Sequence, residues 1–301
     1  FWWNGRQLKP TCSRRGAKKF RKMNILKALN NGYNILKLSN INSYKIDTEL
    51  LLSDSLNISR EKLIINFKDK INMGCYRNFL FKLNRRKKKE PIAYIIKKKE
   101  FWKNSFYVNK NVLIPRPESE FLVEEALKIV NKNQKKLILE IGIGSGCVIT
   151  SVLKDRKNCS AIGIDSCEKA IKIAKINAKL HQIKNRIKIL KTDVDNFRTG
   201  KYDLILSNPP YIDKHQLKYL DVCEFEPYKA LNGGIEGIEI LKKVILKASK
   251  LLKTNGKLIV EIGSDQKYKV KSLLNNNNFF VNKIIKDLSG HDRCLISTKK
   301  P

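Results

Sequence analysis

From Lys136 onward, short apolar runs bounded by turn residues alternate with segments of helical period, and this alternation constrains the fold more than any other feature. Leu137 to Ile141, Ser160 to Ile164, residues 186–190, Tyr202 to Ser207 and residues 257–262 read as strands. Residues from Cys147 onward, Glu168 to Leu180 and residues 238–252 read as the helices between them. A sheet built this way is mostly parallel and covered on both faces, so the fold class is α/β. Residues 279–285 and 294–297 read as a closing pair, antiparallel to each other. No internal repeat is present.

The chain before this region has a different texture. Residues 23–90 carry apolar positions at helical spacing: Leu26, Leu29 and Tyr33, then Leu50, Leu51, Leu52 and Leu56. Ser59 predicts the cap of a third helix with Leu63, Ile64 and Phe67 turned inward, and Phe79, Leu80 and Leu83 mark a fourth. This is a small helical domain suited to recognising a partner. The Arg85 to Lys89 run at its end reads as a solvated helix end. Pro91 breaks the pattern, and residues 92–95 and 101–108 read as a β-hairpin, giving a linker over residues 91–117. Pro115 and Pro117 fix an extended lead-in to a helix over residues 118–130, which opens the domain of residues 118–301. Residues 1–22 hold eight Lys/Arg, no acid and no apolar period. They read as a basic leader outside the fold, with Met23 as the natural start; the rival reading is an organelle transit segment.

Lys and Arg number 62 against 28 Asp and Glu, a net charge of +34. The excess is mostly lysine, beside abundant Asn and Ile, and it does not alternate with aromatic residues as stacking platforms do. It reads as composition spread over solvated faces, which argues against direct nucleic-acid binding. Seven cysteines without a C-x-x-C spacing argue against a disulfide framework or a zinc site. His181, His215 and His291 are scattered and read as surface residues, so no metal is expected. No apolar run is long enough to span a membrane.

The chemistry concentrates at the ends of the predicted strands. Gly142-Ile143-Gly144-Ser145-Gly146 is a glycine-rich turn that lets backbone approach a ligand. Asp165 ends the next strand, 23 residues after Gly142, where a carboxylate can accept ribose hydroxyls, and that much fits NAD as well as S-adenosylmethionine. The third glycine comes one residue too early for G-x-G-x-x-G, which suits a nucleoside ligand with no pyrophosphate. Val194, after the third strand, borders an adenine in this reading. Asn208-Pro209-Pro210-Tyr211 leaves the fourth strand on a stiff turn. It offers an amide oxygen, backbone carbonyls and a flat ring, enough to hold a planar NH2 group.

Glu140 to Gly146 together with Asn208 to Tyr211 resembles a class I S-adenosylmethionine-dependent methyltransferase of Rossmann-like fold that acts on an amino nitrogen. Residues 90–94, 100–102, Ile114 to Glu120, Phe225-Glu226-Pro227 and Asp287 to Arg293 narrow the resemblance to the peptide chain release factor N5-glutamine methyltransferases, the HemK-type family. That resemblance implies S-adenosyl-L-methionine as cofactor, held by Gly142, Ile143, Gly144, Ser145, Gly146, Asp165, Val194 and Asn208. It implies the Gly-Gly-Gln glutamine of class I release factors as substrate, held by Asn208, Pro209, Pro210 and Tyr211. Val194 stands where some relatives carry an aromatic residue, and Ile143 and Ser145 replace threonines. The expectation is a cytoplasmic, monomeric enzyme, or one of an organelle matrix if residues 1–22 are a transit segment. Rival readings are a ribosomal-protein glutamine methyltransferase and an adenine-N6 DNA or RNA methyltransferase. Glu118, Glu120, Glu224 and Glu226 read as structural or surface residues, with Arg116 at the pocket mouth.

Overall fold

The computed structural model describes residues 23–301. Both readings of residues 1–22, and Cys12, lie outside the described residues. The chain forms two compact units that meet in sequence between Ile96 and Lys97.

The first unit is helical: Ile25–Leu38, Tyr44–Leu56, Arg60–Ile65, Met73–Lys87 and a last short turn, Ile92–Ile95. Asn24 and Ser59 cap the first and third, accepting from Lys27 N at 2.9 Å and Lys62 N at 3.3 Å. Leu36, Leu51, Leu52, Leu63 and Phe79 are fully buried in its core. The third helix ends at Ile65. It therefore turns only Leu63 inward, and Ile64 and Phe67 are exposed, contrary to the sequence pattern. The run at residues 92–95 is helical where a strand was expected. Pro91 accepts from Tyr94 N at 3.0 Å, and Tyr94 and Ile95 are buried; so short an apolar run cannot separate strand from helix. The basic run is also less solvated than expected: Arg86 Nε reaches buried Asp47 at 2.7 Å and Arg85 Nε reaches Glu90 at 2.8 Å.

Close approach of three helices depends on Gly32. A Cβ there would lie 2.5 Å from Thr48 Cγ2 and 2.9 Å from Phe79 Cζ. Gly32→Ala is expected to destabilise the helical unit by roughly 1–3 kcal/mol, the usual range for overpacking. A thermal-unfolding midpoint equal to that of the parent chain would contradict it.

The second unit opens with a hairpin, β1 (Lys98–Phe101) and β2 (Asn104–Tyr107), reversed by Trp102 in the left-handed region. A seven-stranded sheet follows, made of β3 (Leu137–Ile141), β4 (Ser160–Asp165), β5 (Ile187–Lys191), β6 (Tyr202–Ser207), β7 (Leu252–Glu261), β8 (Phe279–Lys286) and β9 (Asp292–Lys299). Its order is β5-β4-β3-β6-β7-β9-β8, parallel except that β9 runs against both β7 and β8. Helices Cys147–Asp155 and Glu168–Leu180 pack on one face through Val148, Val152, Ile171 and Ala174. Helices Glu239–Leu251 and Lys267–Asn276 cover the other through Leu241, Val244, Val270 and Leu274. The last of these gave no clear signal in the sequence, because only Val270 and Leu274 are buried in a stretch otherwise rich in Lys and Asn. β7 begins five residues earlier than expected, with an irregular register against β6.

The order of the strands positions the site. From β3 the chain winds one way to β4 and β5, then returns to the other side of β3 to add β6 and β7. The carboxyl ends of β3 and β6 are therefore neighbours at a topological switch point, and helices leave them in opposite directions. A crevice opens there, where ligands of open α/β sheets bind.

Candidate active site

A cleft at this switch point is lined by residues of the glycine turn, by Asp165, by Thr192 to Val194, and by Asn208, Pro209 and Pro210. Four separate loops thus bring together nine of the eleven residues singled out in the sequence. Gly146, which packs against Ala174, and Tyr211 are the exceptions.

The turn after β3 follows from its glycines. Gly142, Gly144 and Gly146 have φ of 76°, 53° and 76°, a region that side chains with a Cβ rarely enter. Gly142 N and Ile143 N both donate to Ile164 O at 2.9 Å, which hooks the turn over the end of β4. Ile143 itself is buried against Gly163, where a Cβ would sit 2.2 Å from Ile143 Cδ1. Ser145 is buried, and its carbonyl accepts from Asn177 Nδ2 at 2.9 Å. Asn177, fully buried on the Glu168–Leu180 helix, also exchanges bonds of 2.8 and 2.9 Å with Tyr107 of β2. One side chain therefore fixes the turn to the hairpin. Nothing in the sequence distinguished Asn177 from an ordinary helical asparagine.

Asp165 accepts from Gly144 N at 3.0 Å through Oδ2 and from Cys167 N at 2.8 Å through Oδ1. Each carboxylate oxygen keeps a further acceptor site. Burial pushes its carboxyl up, against the pull of these two bonds. Behind it, Glu140 is buried, accepts from Ile149 N at 3.2 Å, and is held well above the usual carboxylate range by burial and the nearby Asp165 charge. Glu140 also lines the cleft.

At the end of β6, Ser207 Oγ donates to Ile141 O at 2.8 Å and ties the two strand ends together. Asn208 Nδ2 then donates to Ser119 Oγ at 2.8 Å, and Ser119 Oγ donates to Glu261 Oε2 at 2.6 Å. Tyr211 differs from the free aromatic face that the sequence suggested. It is half-buried against the core, and its hydroxyl donates to Glu261 Oε1 at 3.3 Å. Its carbonyl accepts from Gln266 Nε2 at 2.8 Å. Burial and the Glu261 charge raise its phenol. Glu261 is fully buried at the end of β7 and is pushed up to about 7, chiefly by burial. Neither Ser119 nor Glu261 was singled out in the sequence. They lie 142 positions apart and carry no local pattern.

Arg116 lines the cleft. Glu226 is a buried partner rather than a surface residue: it accepts from Ile114 N at 3.1 Å and from Arg116. Glu120 accepts from Trp102 N at 2.6 Å, and Glu224 is exposed. His181 is half-buried, with Nε2 3.0 Å from Ser105 O and its ring 4.6 Å from that of Phe106; burial lowers its basicity. His215 and His291 are exposed. Among the described residues no helix is long and apolar enough to cross a membrane.

A mostly parallel sheet with a glycine turn after β3, an aspartate closing β4 and an Asn-Pro-Pro-Tyr turn after β6 is that of a class I methyltransferase. Residues 118–225 match the Methyltransferase small domain, and residues 27–96 match the PrmC N-terminal domain. The chain belongs to the release factor glutamine methyltransferase family: it is 35% identical over 282 residues to the release factor glutamine methyltransferase of Clostridium acetobutylicum, covering 92% of this chain and 99% of that one. The protein of the same name from Buchnera aphidicola subsp. Schizaphis graminum is 38% identical over 267 residues, covering 88% and 96%. A methyltransferase structure from Pyrococcus furiosus shares the fold at a TM-score of 0.50 and 19% identity, over 65% of this chain and 89% of that one.

Proposed function

We propose that this enzyme methylates the side-chain amide nitrogen of the glutamine in the Gly-Gly-Gln motif of class I release factors, using S-adenosylmethionine. The observation that carries the reading is the carboxamide of Asn208, fixed by Ser119 in the lining of the switch-point cleft, in a chain of this family.

The residues fit the cofactor. Gly142 and Gly144, where a Cβ would meet nothing nearer than 3.9 Å, an anchored carboxylate with spare acceptor sites and apolar walls at Val194, Ile240 and Val244 suit a nucleoside with a cationic tail. Asp165 would accept the ribose hydroxyls, residues 142–146 would border the amino-acid moiety, and Val194 would cover the adenine. S-adenosylmethionine supplies, when bound, an electrophilic methyl group on a sulfonium sulfur.

The remaining problem is the nucleophile. A carboxamide nitrogen is weak because its lone pair is delocalised into the carbonyl. Asn208 Oδ1 and the Pro209 carbonyl accept its two N–H groups in this reading, which favours a pyramidal nitrogen with its lone pair free. Pro209 and Pro210 hold both acceptors on a stiff turn. Orientation of this kind can remove roughly 7–11 kcal/mol of barrier. No strong base is required, since the nitrogen becomes acidic once methylated and releases its proton to water. Tyr211 serves as a wall of the turn, fixed through Glu261. The domain of residues 23–90 would recognise the release factor, residues 91–117 would link it to the catalytic domain, and the chain would work as a monomer. The reading puts the enzyme where ribosomes terminate, the cytoplasm or an organelle matrix.

A methyl-transfer assay tests it. Labelled methyl should pass to a purified class I release factor and not to its Gly-Gly-Gln→Gly-Gly-Ala form. Label on ribosomal protein or nucleic acid instead would overturn the substrate.

A further inference from the structure

We infer that Ser119 and Glu261 are positioning residues that set which end of the Asn208 carboxamide faces the cleft, so that Glu261 must be ionised for methyl transfer. The inference rests on the proposed role of Asn208 and goes beyond it.

Asn208, Ser119, Glu261 and Tyr211 form one hydrogen-bonded line whose protons are all accounted for. An ionised Glu261 only accepts. It takes the Ser119 hydroxyl proton at Oε2, over 2.6 Å, and the Tyr211 hydroxyl proton at Oε1, over 3.3 Å. Ser119 has one proton, and it is committed. Its oxygen can then only accept from Asn208, which must present Nδ2, as the 2.8 Å contact shows. Oδ1 is left for the cleft, the end able to accept from a substrate NH2. All of this happens in a buried setting: Ser119 and Glu261 are 3% and 1% exposed, so water does not compete for the bonds.

Protonation of Glu261 reverses the line. Oε1 stays the acceptor of the Tyr211 hydroxyl, so the acid proton sits on Oε2 and is donated to Ser119 Oγ, and the Ser119 proton then points at Asn208. That geometry requires Oδ1 toward Ser119 and turns the NH2 end into the cleft, a donor facing the donor it should hold. The groups that face Glu261 include Tyr211 on the β6 turn, Glu118 on the turn before helix Glu120–Ile129, and Arg293 and Cys294 on β9. Burial raises its carboxyl to about 7, while Ser119, Tyr211 and the Arg293 charge draw it down. The sign is that of a raised acid: the competent form is lost as pH falls through about 7 and is complete above it.

Two readouts test this, one of which needs no substrate. The Asn208 side-chain NH2 resonances, assigned by their loss in N208A, should shift between pH 6 and 8 in the wild-type enzyme and stay still in E261Q. Static wild-type resonances overturn the inference whatever the substrate proves to be. In the release-factor assay, S119A should lower kcat about tenfold or more with little change in KM for release factor, and S119T, which keeps the hydroxyl, should restore most of it. E261Q, whose amide offers one acceptor where two are needed, should lower kcat and flatten the pH profile. Wild-type kcat in S119A, or an unchanged pH profile in E261Q, overturns the inference. Shifting resonances in a wild-type enzyme that leaves release factor unlabelled would instead overturn the substrate and leave the line of protons standing.

Discussion

Asn208→Ala is expected to lower kcat by on the order of 10²–10³, the loss seen when one preorganised dipole at a reacting centre is removed. The expectation follows from what surrounds Asn208. Its amide is held from behind by Ser119, its backbone is stiffened by two prolines, and its carbonyl end is left for the cleft. Alanine removes the acceptor and leaves the Ser119–Glu261 bond intact, so the fold should persist. Cofactor affinity should change by less than about tenfold, since one neutral hydrogen bond contributes ~0.5–1.5 kcal/mol. Single-turnover transfer to release factor, read beside calorimetry with S-adenosylmethionine, checks both halves. Near-normal turnover would remove Asn208 from the chemistry.

Asp165→Ala is expected to act on the other half of the cleft. The carboxylate anchors Gly144 N and Cys167 N at the same time, so its loss frees the centre of the glycine turn as well as removing acceptors for the ribose. Hydrogen bonds to a charged group contribute ~1.5–3 kcal/mol each, so a fall in cofactor affinity of about 10²-fold or more is expected. Turnover at saturating cofactor should suffer far less than in Asn208→Ala. Unchanged affinity by calorimetry would reject the ribose assignment. The two variants thus separate binding from chemistry: one should move the dissociation constant, the other kcat.

Much of this site was legible because its residues announce themselves locally. A turn with three glycines at alternate positions, an aspartate at a strand end and two prolines after a buried strand each break the surrounding pattern, and each break has a backbone cause. The departures have causes too. Residues 92–95 became a helical turn because four apolar residues have no period to read, and the helix Lys267–Asn276 was hidden because it buries only two side chains. Glu226 looked like a surface acid until the fold set it behind Arg116 and Ile114 N.

The sequence by itself determined the parallel sheet, the order of its strands along the chain and the turns at their ends, because strand period, glycine and proline act within a few residues. Only the tertiary structure decided which buried groups hold those loops in place. Asn177 binds the glycine turn to β2, and Ser119 and Glu261 orient Asn208, across separations of 70 to 142 positions. A hydrogen bond between distant side chains leaves no trace in the spacing of either one. Its worth comes from burial, and burial exists only once the strands have assembled.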